Sequence, residues 1–331
     1  MLVTTLLHFV AAIIPVVVAG DVLARCADTI AAKTGLGRLL VGSVFLAAAT
    51  SLPELMVDIS AVRMGQIDLA AGDLLGSSLF NLLILAVADL MTQGRGRMLS
   101  RASAAHALAA TVSIFLTAFV AIAIQLGSHV GTISFGGIGL ASVMLFIAYA
   151  FGLRLVYYAQ SQAAGRDPDP PSSGGGSLRL AIPGFLLSTG VIFVAAPFVA
   201  RSAAELADLS GLGGTFIGTT LVAFSTSLPE LVATLSAVRL KAFDLAVGNI
   251  FGSNAFNMLL FAPLDMAHGS PLFAGIAQTH TLTALAVILA TAIAVLGQLY
   301  SVERRIRFIE PDASLVIAII VGTLALLYYM R

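Results

Sequence analysis

Two stretches carry most of the chemistry in this sequence. "TSLPELMVDISAVR", Thr50 to Arg63, sets Pro53 and Glu54 inside a run otherwise apolar enough to cross a membrane. It returns as "TSLPELVATLSAVR", Thr226 to Arg239, with Glu230 in the place of Glu54. Proline has no N–H to donate and clashes with the preceding turn, so the carbonyls from Ala47 to Thr50 are expected to lose helical partners. In hydrocarbon such groups must line a cavity or meet a ligand. Thr50, Ser51 and Glu54 add side-chain oxygens at the same break, as Thr226, Ser227 and Glu230 do in the second copy. A carboxylate at mid-membrane depth costs at least about 2.5–3.5 kcal/mol. No Lys or Arg stands at that depth in either copy, so the balancing charge is expected to be a cation from outside the protein.

A second block accompanies each stretch. "DLAAGDLLGSSLFN", Asp68 to Asn81, is repeated as "DLAVGNIFGSNAFN", Asp244 to Asn257. Gly72 and Gly76, like Gly248 and Gly252, permit another helix to approach closely. Ser77 and Asn81 share a helix face, as do Ser253 and Asn257. Carboxylates, hydroxyls, amide oxygens and freed carbonyls make a hard-oxygen site. That chemistry suits Ca²⁺, which takes about 6–8 oxygens, and Na⁺ on the same logic. Neither block holds a His or Cys, so soft-metal ligands are missing.

Simpler roles exist for several of these residues. Ser51 and Glu54 also have the spacing of a capping box. Asp68 and Asp244 stand at helix starts and read as caps. Arg63 and Arg239 read as interfacial anchors, Phe80 and Phe256 as packing. None of the five histidines (His8, His106, His129, His268, His280) lies in a duplicated block, so none is a favoured ligand. Asp58 and Asp73 occur only in the first half, where the second has Thr234 and Asn249. Each sits one helical turn outward of the ion site, so the two are expected to face a shared outer vestibule above it that concentrates cations or shares a proton; the simple alternative has Asp58 snorkel or pair with Arg63.

The elements that position these groups are membrane helices. The 331 residues are 59% hydrophobic and 10% charged, with mean hydropathy +1.01; soluble domains carry roughly 25% charged residues. Zero net charge gives no hint of nucleic acid, and one cysteine, Cys26, excludes a disulfide framework. Ten spans are expected, starting near Leu2, Leu36, Asp68, Ala102, Ile133, Leu178, Leu212, Asp244, Thr279 and Ala313. The first reads as a retained helix, for it lacks a basic n-region. With the N-terminus outside, only Arg63, Arg201 and Arg331 of the 17 Lys and Arg residues fall outside, which also puts the C-terminus there. The expected setting is a bacterial-type inner, or plasma, membrane.

One offset carries Thr50 onto Thr226, Asp68 onto Asp244, Asn81 onto Asn257 and Asp89 onto Asp265. The chain therefore divides into a first five-helix repeat, 1–160, with its duplicated core at 42–90, and a second, 178–331, with its core at 218–266. Residues 161–177, rich in Pro, Gly and Ser, read as a flexible cytoplasmic linker, too short for a folded regulatory domain. An odd number of spans per copy makes the repeat inverted, the architecture of carriers that bind near the midplane. The expected fold is an all-α membrane protein with broken helices at a central ion site.

At these residues the sequence resembles the calcium/cation antiporter superfamily, and most closely its sodium/calcium exchanger branch. The resemblance spans nearly the whole chain and rests on "ATSLPEL" with "GSSLFN" and "STSLPEL" with "GSNAFN". It implies a diamond of cation sites shared by Na⁺ and Ca²⁺. It implies Ca²⁺ ligation by Glu54 and Glu230 with the backbone oxygens of Thr50 and Thr226. It implies help with Na⁺ from Ser51, Ser77, Ser227 and Ser253 and the carbonyls of Ala47 and Ala223, with Asn81 and Asn257 completing the motif positions. Two departures bear on the coupling ion: some members carry Asp where Asn257 stands, and the usual "GN" of the first repeat is "GD" here, at Asp73.

The expected function is an antiporter that exchanges Ca²⁺ for Na⁺ by alternating access, in a lipid bilayer and without a cofactor. Exchange of Ca²⁺ for H⁺ through the same glutamates is the nearest alternative. A passive cation channel is a different class, which inverted repeats around one central site disfavour. An intramembrane enzyme lacks support: there is no HExxH, no Ser–Lys or Ser–His pairing at useful spacing and no Gly-rich phosphate loop.

Overall fold

Pro53 has no N–H to give the Ala49 carbonyl, and the helix that begins at Arg38 stops at Thr50 and resumes at Leu52, turned by 43°. The computed structural model describes residues 2–92, 104–127, 134–135, 138–164, 176–209, 223–300 and 311–329. The first half comprises α1 (Leu2–Thr34), α2 (Arg38–Thr50), α3 (Leu52–Arg63), α4 (Ile67–Met91), α5 (Ala104–Leu126) and α6 (Leu140–Ala164). The second comprises α7 (Leu178–Leu209), α8 (Leu228–Arg239), α9 (Phe243–His268), α10 (His280–Tyr300) and α11 (Pro311–Tyr329). Within α2, Val41–Leu46 is wound as a π-helix. A hairpin of two residues per strand, β1 (Ser134–Phe135) and β2 (Ile138–Gly139), precedes α6 and is the small exception to an all-α chain.

Among the described residues, eight helices are long and apolar enough to cross a membrane, and the bent pair α2–α3 makes a ninth. The first part of the remaining expected span, 212–222, lies outside the described residues, as does most of the linker at 161–177. The continuation of that span is α8, which covers the same twelve positions of the repeat as α3.

Packing repeats with the sequence. α1 lies along α7, α5 along α10, and α4 crosses α9. α6 packs on α9 as α11 packs on α4. These reciprocal contacts are what a pseudo-two-fold axis between two copies produces. The α9 membrane window is 89% buried, whereas those of α1 and α11 are 22% buried. The repeated helices therefore form the centre, while α1, α6 and α7 present Leu6, Val10, Phe146, Phe151, Leu186 and Leu187 outward, as lipid-facing helices do.

Small residues let the centre close. A Cβ on Gly42 would stand 2.6 Å from the Leu245 carbonyl, one on Gly248 2.6 Å from that of Leu39, and one on Gly252 inside the Ser43 backbone. α2 and α9 thus meet backbone to backbone. The first copy is looser: a Cβ on Gly72 would be 3.3 Å from His280 and one on Gly76 3.6 Å from Ala223. Of the segment that matches α2 in the second half, 214–226, only 223–226 is described.

Tight turns join α3 to α4 and α8 to α9. In the first, Gln66 N–H reaches the Ala61 carbonyl at 2.9 Å and Gly65 N–H that of Val62 at 3.0 Å, with Gly65 left-handed at φ 76. The second copy makes the same two bonds from Ala242 and Lys241, and Lys241 accepts φ 58 without glycine's freedom.

Candidate functional site

The break between α2 and α3 meets the start of α8, and polar residues there cross between the halves. Ser51, which begins α3, makes no side-chain cap. Its hydroxyl donates instead to Glu230 Oε1 at 3.1 Å, with Thr50 flanking the same carboxylate. The capping-box reading of Ser51 is thereby replaced by a contact from one break to the acid of the other. Thr226, just before α8, reaches the opposite way: its hydroxyl donates to Asp73 Oδ1 at 3.2 Å and lies 3.4 Å from Ser77 Oγ.

Backbone bonding at the breaks is more economical than the sequence suggests. The Ala47 carbonyl keeps Ser51 N–H at 3.0 Å and also takes the Thr50 hydroxyl at 3.2 Å. The Ala223 carbonyl takes Ser227 N–H at 3.1 Å and the Thr226 hydroxyl at 3.0 Å. Pro53 thus frees the Ala49 position, two residues closer to the acids, while Ala47 retains its helical donor.

Around these contacts lies a set of buried oxygens with no protein partner. Glu54 is 1% exposed and both carboxylate oxygens lack a donor. Glu230 is fully buried and its Oε2 lacks one too. Glu54 is close enough to Glu230 and Asp73 to feel both charges. The Ser227 and Ser253 hydroxyls, Asn81 Oδ1 and both amide atoms of Asn257 are likewise unpartnered and buried. Asn81 gives its N–H to Asn254 Oδ1 at 3.0 Å, and Asn254 bonds the Ser78 carbonyl at 3.1 Å, which locks α4 to α9 and leaves Asn81 Oδ1 available. Native interiors rarely leave so many polar atoms unsatisfied unless water or an ion meets them. Among the described residues no three His, Cys, Asp or Glu side chains converge as in a closed metal centre. The donors are two glutamates supplemented by hydroxyl and amide oxygens, which fits a hard cation in transit.

Asp58 and Asp73 come together, as their positions suggest, but in the interior. Asp58 is 0% exposed and Asp73 5%, and their carboxyls lie against one another. Arg63 is exposed, so the alternative of an Asp58–Arg63 pair is not what forms. In the second copy, Asn249 Nδ2 donates to Thr234 Oγ1 at 3.0 Å, a neutral bond at the same place.

Asp68 and Asp244 are not caps. The cap positions of the two helices are Gln66 and Ala242, and neither helix has a side-chain cap bond. Asp68 Oδ1 accepts Ala277 N–H at 2.8 Å and stands 3.3 Å from His280 Nε2. Asp244 pairs with His106 Nε2 at 3.0 Å. Each pair joins one half to the other, α4 to α10 and α9 to α5. Asp265, repeated from Asp89, was given no role by sequence; fully buried, it takes Gly139 N–H and Leu272 N–H at 2.6 Å each and fixes β2 and the following loop to α9.

Known proteins resemble this chain in sequence and fold. The chain matches the sodium/calcium exchanger protein family over residues 4–155 and 180–330. It is 31% identical over 258 residues to the inner membrane protein YrbG of Escherichia coli, covering 74% of each chain. It is 29% identical over 303 residues to the sodium/calcium exchanger MaX1 of Methanosarcina acetivorans, covering 81% of this chain and 85% of that protein. A solved structure of the sodium-calcium exchanger NCX_Mj superposes with a TM-score of 0.71 over 98% of this chain and 99% of that one, at 20% identity, which marks a common fold.

Proposed function

The chain belongs to the sodium/calcium exchanger protein family, whose members are membrane transporters and not enzymes, and from that premise we propose that it is a secondary antiporter exchanging Ca²⁺ for Na⁺ by alternating access. The observation that supports this reading best is the pair Glu54 and Glu230, buried and short of donors, one from each copy of the repeat. Their combined charge is neutralised by one Ca²⁺ or two Na⁺. Thr50, Ser51, Ser77 and Asn81 of the first half and Thr226, Ser227, Ser253 and Asn257 of the second supply the neutral oxygens that replace water around the ion.

The charge balance also explains why exchange is obligatory. A loaded site is close to neutral and can pass a dry barrier as the halves rock; an empty one carries bare carboxylates, which cost several kcal/mol there. Reciprocal packing between the halves offers two equivalent arrangements, one open to each side. The uneven spread of basic residues supports a plasma-membrane setting with both termini outside.

Tracer Ca²⁺ flux into proteoliposomes tests the proposal. An imposed Na⁺ gradient should drive uptake and a pH gradient should not. Uptake driven by pH alone would assign proton coupling to the glutamates, and steady single-molecule current would assign a channel.

A further inference from the structure

Asp58 and Asp73 hold the most exceptional electrostatic position outside the glutamate couple. Both are buried, each in a helix of the first half, and their carboxyls face each other. Both Asp58 oxygens and Asp73 Oδ2 have no donor from outside the pair; the one hydrogen bond that reaches it from another residue is from Thr226 to Asp73 Oδ1. The charges they meet from neighbouring elements are negative: Asp73 acts on both Glu54 and Glu230, and Asp58 also acts on Glu54. Two carboxyl groups in one dry site cannot both stay ionised unless a cation joins them; otherwise one holds a proton.

The molecule supplies its own control. Thr234 and Asn249 occupy the matching positions of the second half, and there a neutral pair closes with one 3.0 Å hydrogen bond. The backbone framework therefore needs no acid at these positions. The first half nevertheless carries two, one turn from Glu54 and from Ser77 toward the Arg63 end of α3.

We propose that Asp58 and Asp73 hold a Na⁺ ion of their own, beside the position between Glu54 and Glu230. The donors favour a monovalent ion. Four carboxylate oxygens and the Thr226 hydroxyl fall short of the about 6–8 oxygens that Ca²⁺ takes. Thr226 links the two positions, because its hydroxyl touches Asp73 and Ser77 while its helix break adjoins the glutamate couple. The asymmetry makes the Arg63 side of the pathway the more acidic. The choice of ion rests on the Na⁺/Ca²⁺ reading above; the test is made by binding, so it stands apart from flux.

Equilibrium binding of ²²Na⁺ to the purified protein in lipid nanodiscs tests it, with thermal melts checking that each variant folds. The double variant Asp58→Thr with Asp73→Asn reproduces the neutral pair already present in the second half. It should bind one Na⁺ fewer than the parent at saturation. The double variant Glu54→Gln with Glu230→Gln should keep one Na⁺. An unchanged Na⁺ count in the first variant overturns the proposal, as it would if the pair shares a proton instead. Loss of all Na⁺ in the second overturns it too. Failure of Na⁺-driven Ca²⁺ uptake in the parent, with one Na⁺ still lost in the Asp variant, would defeat the exchange reading alone.

Discussion

Replacing Glu54 with Gln should make the empty protein more stable while ending its use. Glu54 is 1% exposed and neither carboxylate oxygen has a side-chain donor, so no other side chain offsets its charge. Keeping an ionised carboxylate at such depth costs about 2.5–3.5 kcal/mol at least. Gln fills the same volume without that charge. Converted at about 2 °C per kcal/mol for a large domain, the gain is a rise of about 5–7 °C in Tm. The wild type should recover the same energy only when cation arrives: a ligand at a hundred times its Kd adds about 2.7 kcal/mol. The assay is thermal unfolding in detergent with chelator and with Ca²⁺. Wild type should melt higher with Ca²⁺, and Glu54→Gln should melt high in both and respond to neither. A variant less stable than wild type in chelator, or one still raised by Ca²⁺, refutes the reasoning that Glu54 is an uncompensated charge awaiting cargo.

Three further outcomes follow from packing and backbone. Gly252→Val puts a side chain into the Ser43 backbone and should cost about 1–3 kcal/mol or more, read as a lower Tm; Gly190→Val, with nothing within 4 Å, is the control that should melt normally. Lys241→Gly should raise Tm slightly. It relieves a left-handed residue at φ 58, where non-glycine residues lose about 1–2 kcal/mol, and gives back part of the gain in unfolded-chain entropy. Asp265→Ala strips two buried N–H groups of their acceptor and should cost about 3 kcal/mol by chemical denaturation, since each bond to a charged group is worth about 1.5–3 kcal/mol.

The duplication made the centre legible in the sequence. A shared offset shows both breaks, both glutamates and their hydroxyl partners, because helix periodicity and the proline rule act locally. It even marks the turn at Lys241, through Gly65 at the matching place, although lysine alone gives no such signal. The contacts that cross the halves are a different matter. Ser51 has the spacing of a cap, and only three-dimensional packing shows its hydroxyl on Glu230. His106 and His280 lie off the common offset by two residues, so the repeat does not flag them, yet each meets the acid that opens a repeated helix. Asp265 bonds backbone N–H groups in a loop and a hairpin, which carry no residue-type signature. The π-helical turns at Val41–Leu46 arise where α2 presses on α9, a tertiary cause that local propensity does not encode.

The most direct measurement is to locate Ca²⁺ itself, by long-wavelength anomalous diffraction from crystals grown in Ca²⁺ without Na⁺. The account predicts one strong peak within about 2.3–2.6 Å of an oxygen from Glu54 and an oxygen from Glu230. A peak elsewhere, or two glutamates bonded to protein donors with no metal between them, would contradict it.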